Sequence, residues 1–412
     1  MCLAASKEME LHKGEKMEIK RKRRSISALI ILLNFITFNN ATEDELKTFP
    51  STYKCSHDEI ESFFTRNHSF AMPSQLQKGQ GSEDTFFLVG DSTNEIKYFD
   101  PMRITFFTNN LASLKIKSPQ SYKVLIDDIF PAVGNFLSQV FLVRRKPDKT
   151  TWISRDCRRS IRYSNGTRIC LSLSLPTCVT TIIPESHLDQ VRTCQLEGGE
   201  LKCEQLQRGT GIQQTDHVVY VNYGPHKFCS SDVLAFASFC KLDEINRPYV
   251  SGIHICDHAL DLVLLSPSRM MEIVQHELLH GMGFSSSAFR LFRDDAGVPR
   301  NNDRRSPDRP SVDSTLLSMN SSGGKPTTWV ITPTARDFAK TFFKCNSTRG
   351  IAIENQGESG SVGSHIESLA QLEDTMTAAL TGISALSNFT LTILRDSGWY
   401  GINFHRASNP LW

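Results

Sequence analysis

SPSRMMEIVQHELLHGMG occupies residues 266–283. Within the wider segment 262–283 the spacing predicts the strongest helix of the chain. Ser266 is a suitable N-cap, and Pro267 fits the first helical position, where the missing N–H has no partner to lose. Met271, Val274, Leu278 and Met282 recur at intervals of three and four and would share one buried face. Gly283 supplies a C-terminal stop. Inside this helix His276 and His280 lie four residues apart, so their imidazoles sit one above the other on one face. Two imidazoles so placed can share a zinc ion at about 2.0–2.1 Å. Glu277 points to the side of that face. It can take a proton from a metal-activated water and pass it to a leaving amine without ligating the metal.

A catalytic zinc needs three protein ligands and one open position. In metzincin peptidases the glycine after the second histidine turns the chain, and a third histidine follows three residues later. Gly283 stands in the turn place, but the later position is Ser286. Downstream, the remaining histidines are His365 and His405. Glu354 and Glu358 are the carboxylate alternatives. His254 and His258 form another pair four apart, and they read as structural because no strong helix covers them.

The rest of the chain bounds the setting. The protein has 412 residues, 39% hydrophobic and 22% charged, with formal net charge +2. That is globular composition with no global sign of a nucleic-acid partner. Five basic residues, Lys20 to Arg24, precede the apolar run ISALIILLNFITF at 26–38. This fits a secretory signal over residues 1–40 with a long basic lead-in, cleaved near 39–42. Met17 is an alternative start, and an uncleaved signal anchor is the alternative role. Eleven cysteines support export, and because no CxxC pair occurs, disulfides are their expected use. Six N-glycosylation sequons, at Asn40, Asn67, Asn165, Asn320, Asn346 and Asn388, are expected on surface loops.

Residues 41–95 are polar and hold Cys55, a separate segment. MRITFF alternates as a strand, residues 122–140 carry helical spacing, and TDHVVYVNY at 215–223 is a strand. Residues 157–203 hold five cysteines with little periodicity and read as loops. Residues 284–364 are hydrophilic, with a helical patch near 334–343. Ile383, Leu386, Phe389 and Ile393 suggest a terminal amphipathic helix.

HELLHGMGFS (276–285), then a long insertion, then GSVGSHIESLAQLEDTMTAAL (360–380) resembles the leishmanolysin family of metzincins. VLAFASFCKLDEINRPYVSGIHIC (233–256) and ILRDSGWYGINF (393–404) agree with it. The resemblance implies an α+β fold: an N-terminal subdomain (96–283) with a twisted mixed sheet and the zinc helix, and a C-terminal part (284–412) containing the insertion. It implies one Zn2+ held by His276, His280 and His365, Glu277 as catalytic base, Gly283 as turn glycine and Met376 in the Met-turn. YKCSHD at 53–58 is similar to the propeptide motif whose unbridged cysteine caps the zinc. Residues 41–95 would then be a propeptide with Cys55 as latency cysteine, although a structural disulfide is the alternative. His405 is expected to be unligated. The implied activity is hydrolysis of internal peptide bonds in proteins or peptides, outside the cell or at its surface, with links to adhesion or migration and membrane association. The family's cysteine-rich C-terminal domain is absent from this sequence, so Cys345 is expected to lack its partner. That favours, as the alternative, a weakly active adhesion protein that keeps the fold.

Overall fold

The computed structural model describes residues 53–55, 57–67, 99–144, 150–162, 168–198, 200–301, 315–319, 326–355, 362–368, 373–380 and 384–407. The leader, Asn40, Asn165, Asn320, Glu358 and Ile383 lie outside these residues. Among the described residues the order opens with β1 (Tyr53–Lys54) and α1 (His57–Asn67), and continues to β2 (Ile104–Phe107) and α2 (Phe130–Val140). Next come β3 (Cys157–Arg162), β4 (Arg168–Leu173), β5 (Val191–Glu197) and β6 (Glu200–Leu206). β7 (His217–Gly224), β8 (Ala235–Leu242), β9 (Pro248–Cys256) and α3 (Pro267–Gly281) follow. The last third holds β10 (Leu316–Met319), β11 (Thr327–Val330), α4 (Pro333–Phe342), β12 (Ile351–Ile353), β13 (Ala379–Leu380) and α5 (Asn388–Arg395).

The frame of the molecule is a mixed sheet in the order β8-β9-β7-β2. β9 and β2 run parallel to β7, while β8 pairs antiparallel to β9 and forms an edge. Both faces are covered, which explains the nearly continuous apolar run VVYV in β7. Val219 and Val221 face the core shared with α2 and α3, whereas Val218 and Tyr220 face a second core containing Ile153 and Cys178. α3 therefore lies on a rigid, doubly buried sheet. With the helices packed on it, this is the α+β architecture expected.

Several details differ from the sequence reading. Ser266 occupies the N-cap of α3, but its side chain makes no capping bond. Met271 is partly buried, while Met270, Ile273 and Leu279 join Val274 and Leu278 in the core, because α3 is packed on more than one side. The segment 157–203, read as loops, supplies most of a four-stranded sheet, β6-β5-β4-β3. β6 is exposed along most of its length, so its residues carry no apolar alternation. Cys157–Cys170 and Cys194–Cys203 staple the sheet in place of a core. Cys178–Cys240 and Cys229–Cys256 tie the main sheet to its surroundings. The insertion contributes a small antiparallel sheet, β10-β11-β12. Cys345, expected to be without a partner, is disulfide-bonded. The terminal helix begins at Asn388, after Leu386. Asn388 is thus a half-buried helix residue rather than a loop residue, and Asn67 also lies in a helix; Asn346 is exposed. The disulfides are those of a chain that matures in an oxidising compartment. Among the described residues no helix is long and apolar enough to cross a membrane.

Candidate metal centre

His276 and His280 lie on consecutive turns of α3 and are fully buried. Each ring is oriented by a backbone carbonyl on its Nδ1. His276 Nδ1 donates to Thr375 O at 2.6 Å, and His280 Nδ1 donates to Phe284 O at 2.7 Å. The second contact depends on the turn glycine. Gly283 has φ +103°, and a Cβ there would lie 2.8 Å from the Trp399 ring. That left-handed turn sends the chain back so that Phe284 O faces the helix it has just left.

The first contact depends on Asp374. Its buried carboxylate accepts Met376 N at 2.7 Å and Thr390 Oγ1 at 2.6 Å, and it also accepts Ser387 Oγ. This pins the loop of Thr375 and Met376 to the start of α5. Met376 is fully buried, and its carbonyl accepts Ile366 N at 2.8 Å. Ile366 in turn places His365. His365 Nε2 lies 3.2 Å from His280 Nε2, and His276 Nε2 lies 3.1 Å from the same atom.

A carbonyl oxygen can only accept, so Nδ1 carries the proton in His276 and His280 and Nε2 is bare in each. Burial keeps these rings neutral: it lowers His276 to about 4 and holds His280 well below the ordinary histidine value. Bare nitrogen lone pairs 3.1 Å apart repel one another unless a cation lies between them. Cys55 Sγ stands 3.5 Å from His280 Nε2, and the four ligand atoms all lie within 4.8 Å of one another. Imidazole nitrogens with a sulfur are a donor set that zinc accepts. Glu277 is fully buried beside them, with Oε1 3.9 Å from Cys55 Sγ.

Cys55 is delivered by the N-terminal segment. β1 pairs antiparallel with β13, Tyr53 opposite Leu380 and Lys54 opposite Ala379, and Cys55 N donates to Ala378 O at 3.1 Å. Cys55 is buried and is not in a disulfide. α1 then lies across the ligands. The His57 ring stacks on His280 with centroids 3.8 Å apart, and its Nδ1 donates to Ala237 O of edge strand β8 at 3.1 Å. Burial opposes charge on His57, but the Glu61 carboxylate 3.6 Å away holds the imidazole above its ordinary value.

The other candidates lie elsewhere. Glu354 is buried, but its carboxylate accepts Ser368 Oγ and is not in the ligand group. His405 is exposed. His254 bonds Thr180 Oγ1 at 2.8 Å and Gly224 O at 2.9 Å, a structural arrangement, and neither it nor His258 joins the group. Sequence reasoning missed Asp374 and the carbonyls of Thr375 and Phe284, which no side-chain pattern reveals. It also missed His57, Asp58 and Glu61. Their spacing after Cys55, one helical turn from His57 to Glu61, was the available signal.

A family model described as Leishmanolysin matches residues 190–412, more than half of the chain. The leishmanolysin-like peptidase of Drosophila melanogaster is 26% identical over 317 residues, covering 71% of this chain and 46% of that protein. The ciliated left-right organizer metallopeptidase of Xenopus laevis is 26% identical over 327 residues, covering 76% of this chain and 43% of that protein. Leishmanolysin of Leishmania major is 26% identical over 249 residues, covering 57% of this chain and 37% of that protein. The chain thus spans less than half the length of these curated relatives. Metallopeptidases of this kind use a metal, generally zinc, and the donor set described above suits it. By sequence and by the arrangement of its ligand helix, the chain belongs to the leishmanolysin family.

Proposed function

We propose that this protein is a zinc-dependent endopeptidase made latent by its own N-terminal segment. The observation that carries the reading is the convergence of His276, His280 and His365 Nε2 beside the buried Glu277. His276, His280 and His365 would hold the metal, and Met376 packs beneath it without chemistry. Zinc, when bound, supplies a Lewis acid for a scissile carbonyl and makes water acidic near neutral pH.

The chain's own residues do the rest. Glu277 accepts the proton of the attacking water at its carboxylate and hands it to the leaving amine nitrogen. Thr375 O and Phe284 O fix the tautomers of His276 and His280, so both present bare Nε2 atoms. Edge strand β8 and the loop leading into β13 bond the N-terminal segment through Ala237 O and Ala378 O, and an extended protein or peptide substrate would take those places once the segment has left. In the resting chain Cys55 and α1 hold those places. On this reading residues 41–95 are a propeptide and Cys55 its latency residue, 96–283 the N-terminal catalytic subdomain, and 284–412 the insertion with the C-terminal part. The protein would act in the secretory pathway or outside the cell.

The test is Glu277→Gln. The variant should keep bound zinc by metal analysis and lose turnover of an unstructured protein substrate by about 10²–10⁴-fold. Turnover at the parent rate would overturn the assignment.

A further inference from the structure

Ser285, Ser286, Ser287 and Ser364 gather next to the ligands. Ser364 directly precedes His365, and Ser285 follows Phe284, whose carbonyl holds His280. All four hydroxyls donate to carboxylates of α1. Glu61 Oε1 accepts Ser285 Oγ at 3.0 Å and Ser287 Oγ at 2.6 Å. Asp58 Oδ1 accepts Ser286 Oγ at 2.9 Å and also Ser364 Oγ.

Two of these hydroxyls are committed as donors by the backbone. Ser285 Oγ accepts Ala288 N at 3.2 Å, and Ser364 Oγ accepts Ser286 N at 2.8 Å. With amide hydrogens on their acceptor side, both hydroxyls turn their own hydrogens outward. Each pair of hydroxyls converges on one oxygen, Glu61 Oε1 or Asp58 Oδ1, and a charged carboxylate oxygen accepts two such hydrogens more strongly than a neutral carboxamide oxygen does. Ser285 and Ser364 are fully buried in the covered state. Neither Asp58 nor Glu61 belongs to the ligand group, so capping the metal does not require them.

We infer that these four serines form a carboxylate-binding subsite beside the metal ligands, filled in the resting chain by Asp58 and Glu61 and, once α1 has left, by an acidic side chain of the substrate. The inference rests on the peptidase reading and adds a substrate class to it: peptides with Asp or Glu near the scissile bond. It also gives α1 a second hold on the cleft, independent of the Cys55 thiol.

The experiment uses the full-length zinc-loaded chain and paired peptides that differ only in Glu against Gln, walked through the positions flanking the scissile bond. The ratio of kcat/KM within a pair does not depend on what fraction of the molecules is uncovered. At one position Glu should be favoured by roughly tenfold, the scale of one hydrogen bond to a charged group. Ser287→Ala and Ser364→Ala should each bring that ratio toward one; Ser287 is included because its hydroxyl caps no helix. Equal rates at every position, or a preference that survives both substitutions, would overturn the subsite. A second readout needs no turnover: alkylation of Cys55 by iodoacetamide should be roughly tenfold faster in Glu61→Gln and Asp58→Asn than in the parent. Cleavage of no peptide at all, by the parent or by full-length Cys55→Ala, would sink the peptidase reading and the substrate half of the inference with it. Parent-rate alkylation in both variants would overturn the carboxylate cradle whatever the peptides do.

Discussion

α3 and α1 meet at the same buried cluster and hold it in opposite ways. α3 is part of the scaffold: its apolar side chains lie in the main core, and its two histidines are oriented by carbonyls from Phe284 and Thr375. α1 and β1 attach through a two-residue strand pairing, a thiol, a stacked imidazole, four serine hydroxyls and a small apolar anchor, Ile60 in the second core with Phe63 against Phe228. Interactions of the first kind cannot be withdrawn without unfolding the site. Those of the second kind are mostly polar, with Ile60 and Phe63 as their apolar part, and α3 keeps its own core contacts when they are released. The contrast teaches which half of the cluster is built to stay and which to leave.

The largest test of that difference is Cys55→Ala in the full-length chain. A tethered thiol acts at an effective concentration of order mM, so a ligand of micromolar intrinsic affinity keeps nearly every site closed. Peptidase activity of the unprocessed variant should rise by roughly 10²–10³-fold. Equal activity with and without Cys55 would leave α1 as ordinary structure. On the scaffold side the matching test is Gly283→Ala. Its φ of +103° and the Trp399 ring 2.8 Å from the new Cβ oppose the change. Stability should fall by about 1–3 kcal/mol, read as a lower unfolding midpoint. Zinc should also bind more weakly, because Phe284 O would leave His280. An unchanged midpoint and affinity would mean that the turn does not position the ligand.

The parts legible in the sequence are those where one periodicity carries the information. HELLH on an amphipathic helix announced that His276, Glu277 and His280 share one buried helix, and TDHVVYVNY announced a sheet strand. Joining His365 to the pair needed a family resemblance, because 85 residues separate His280 from His365 and no local pattern spans them. The sheet of β3 to β6 was hidden because disulfides, not apolar alternation, hold its exposed strands. The carbonyl partners of the histidines were hidden because every residue has a carbonyl. The serine cradle was hidden because Ser285 to Ser287 and Ser364 look like loop residues until α1 is laid against them.

A further expected effect concerns acid. His217, at the start of β7, is fully buried, bonded to Pro248 O and Ser251 Oγ; burial and then the charge of Arg247 lower it to about 3. His254 is lowered to about 4, chiefly by burial. Each is depressed in the folded state, so its contribution is complete above the ordinary value of 6.5 and is lost as pH falls from there toward 4 and 3. Both lie in the scaffold, outside the ligand group. Thermal midpoints measured in chelator should therefore fall steadily below pH 6.5, and equally with and without Cys55. A midpoint flat down to pH 4 would show that these buried histidines do not couple stability to protons.

The central claim is that this fold brings three distant histidines to one zinc ion. Metal analysis after mild dialysis against chelator tests it most directly, on His365→Ala, Glu354→Ala and His405→Ala beside the parent. The account predicts stoichiometric zinc in the parent, in Glu354→Ala and in His405→Ala, and a sharp loss in His365→Ala. Full zinc in His365→Ala, with loss in Glu354→Ala, would contradict it and move the third ligand to the carboxylate.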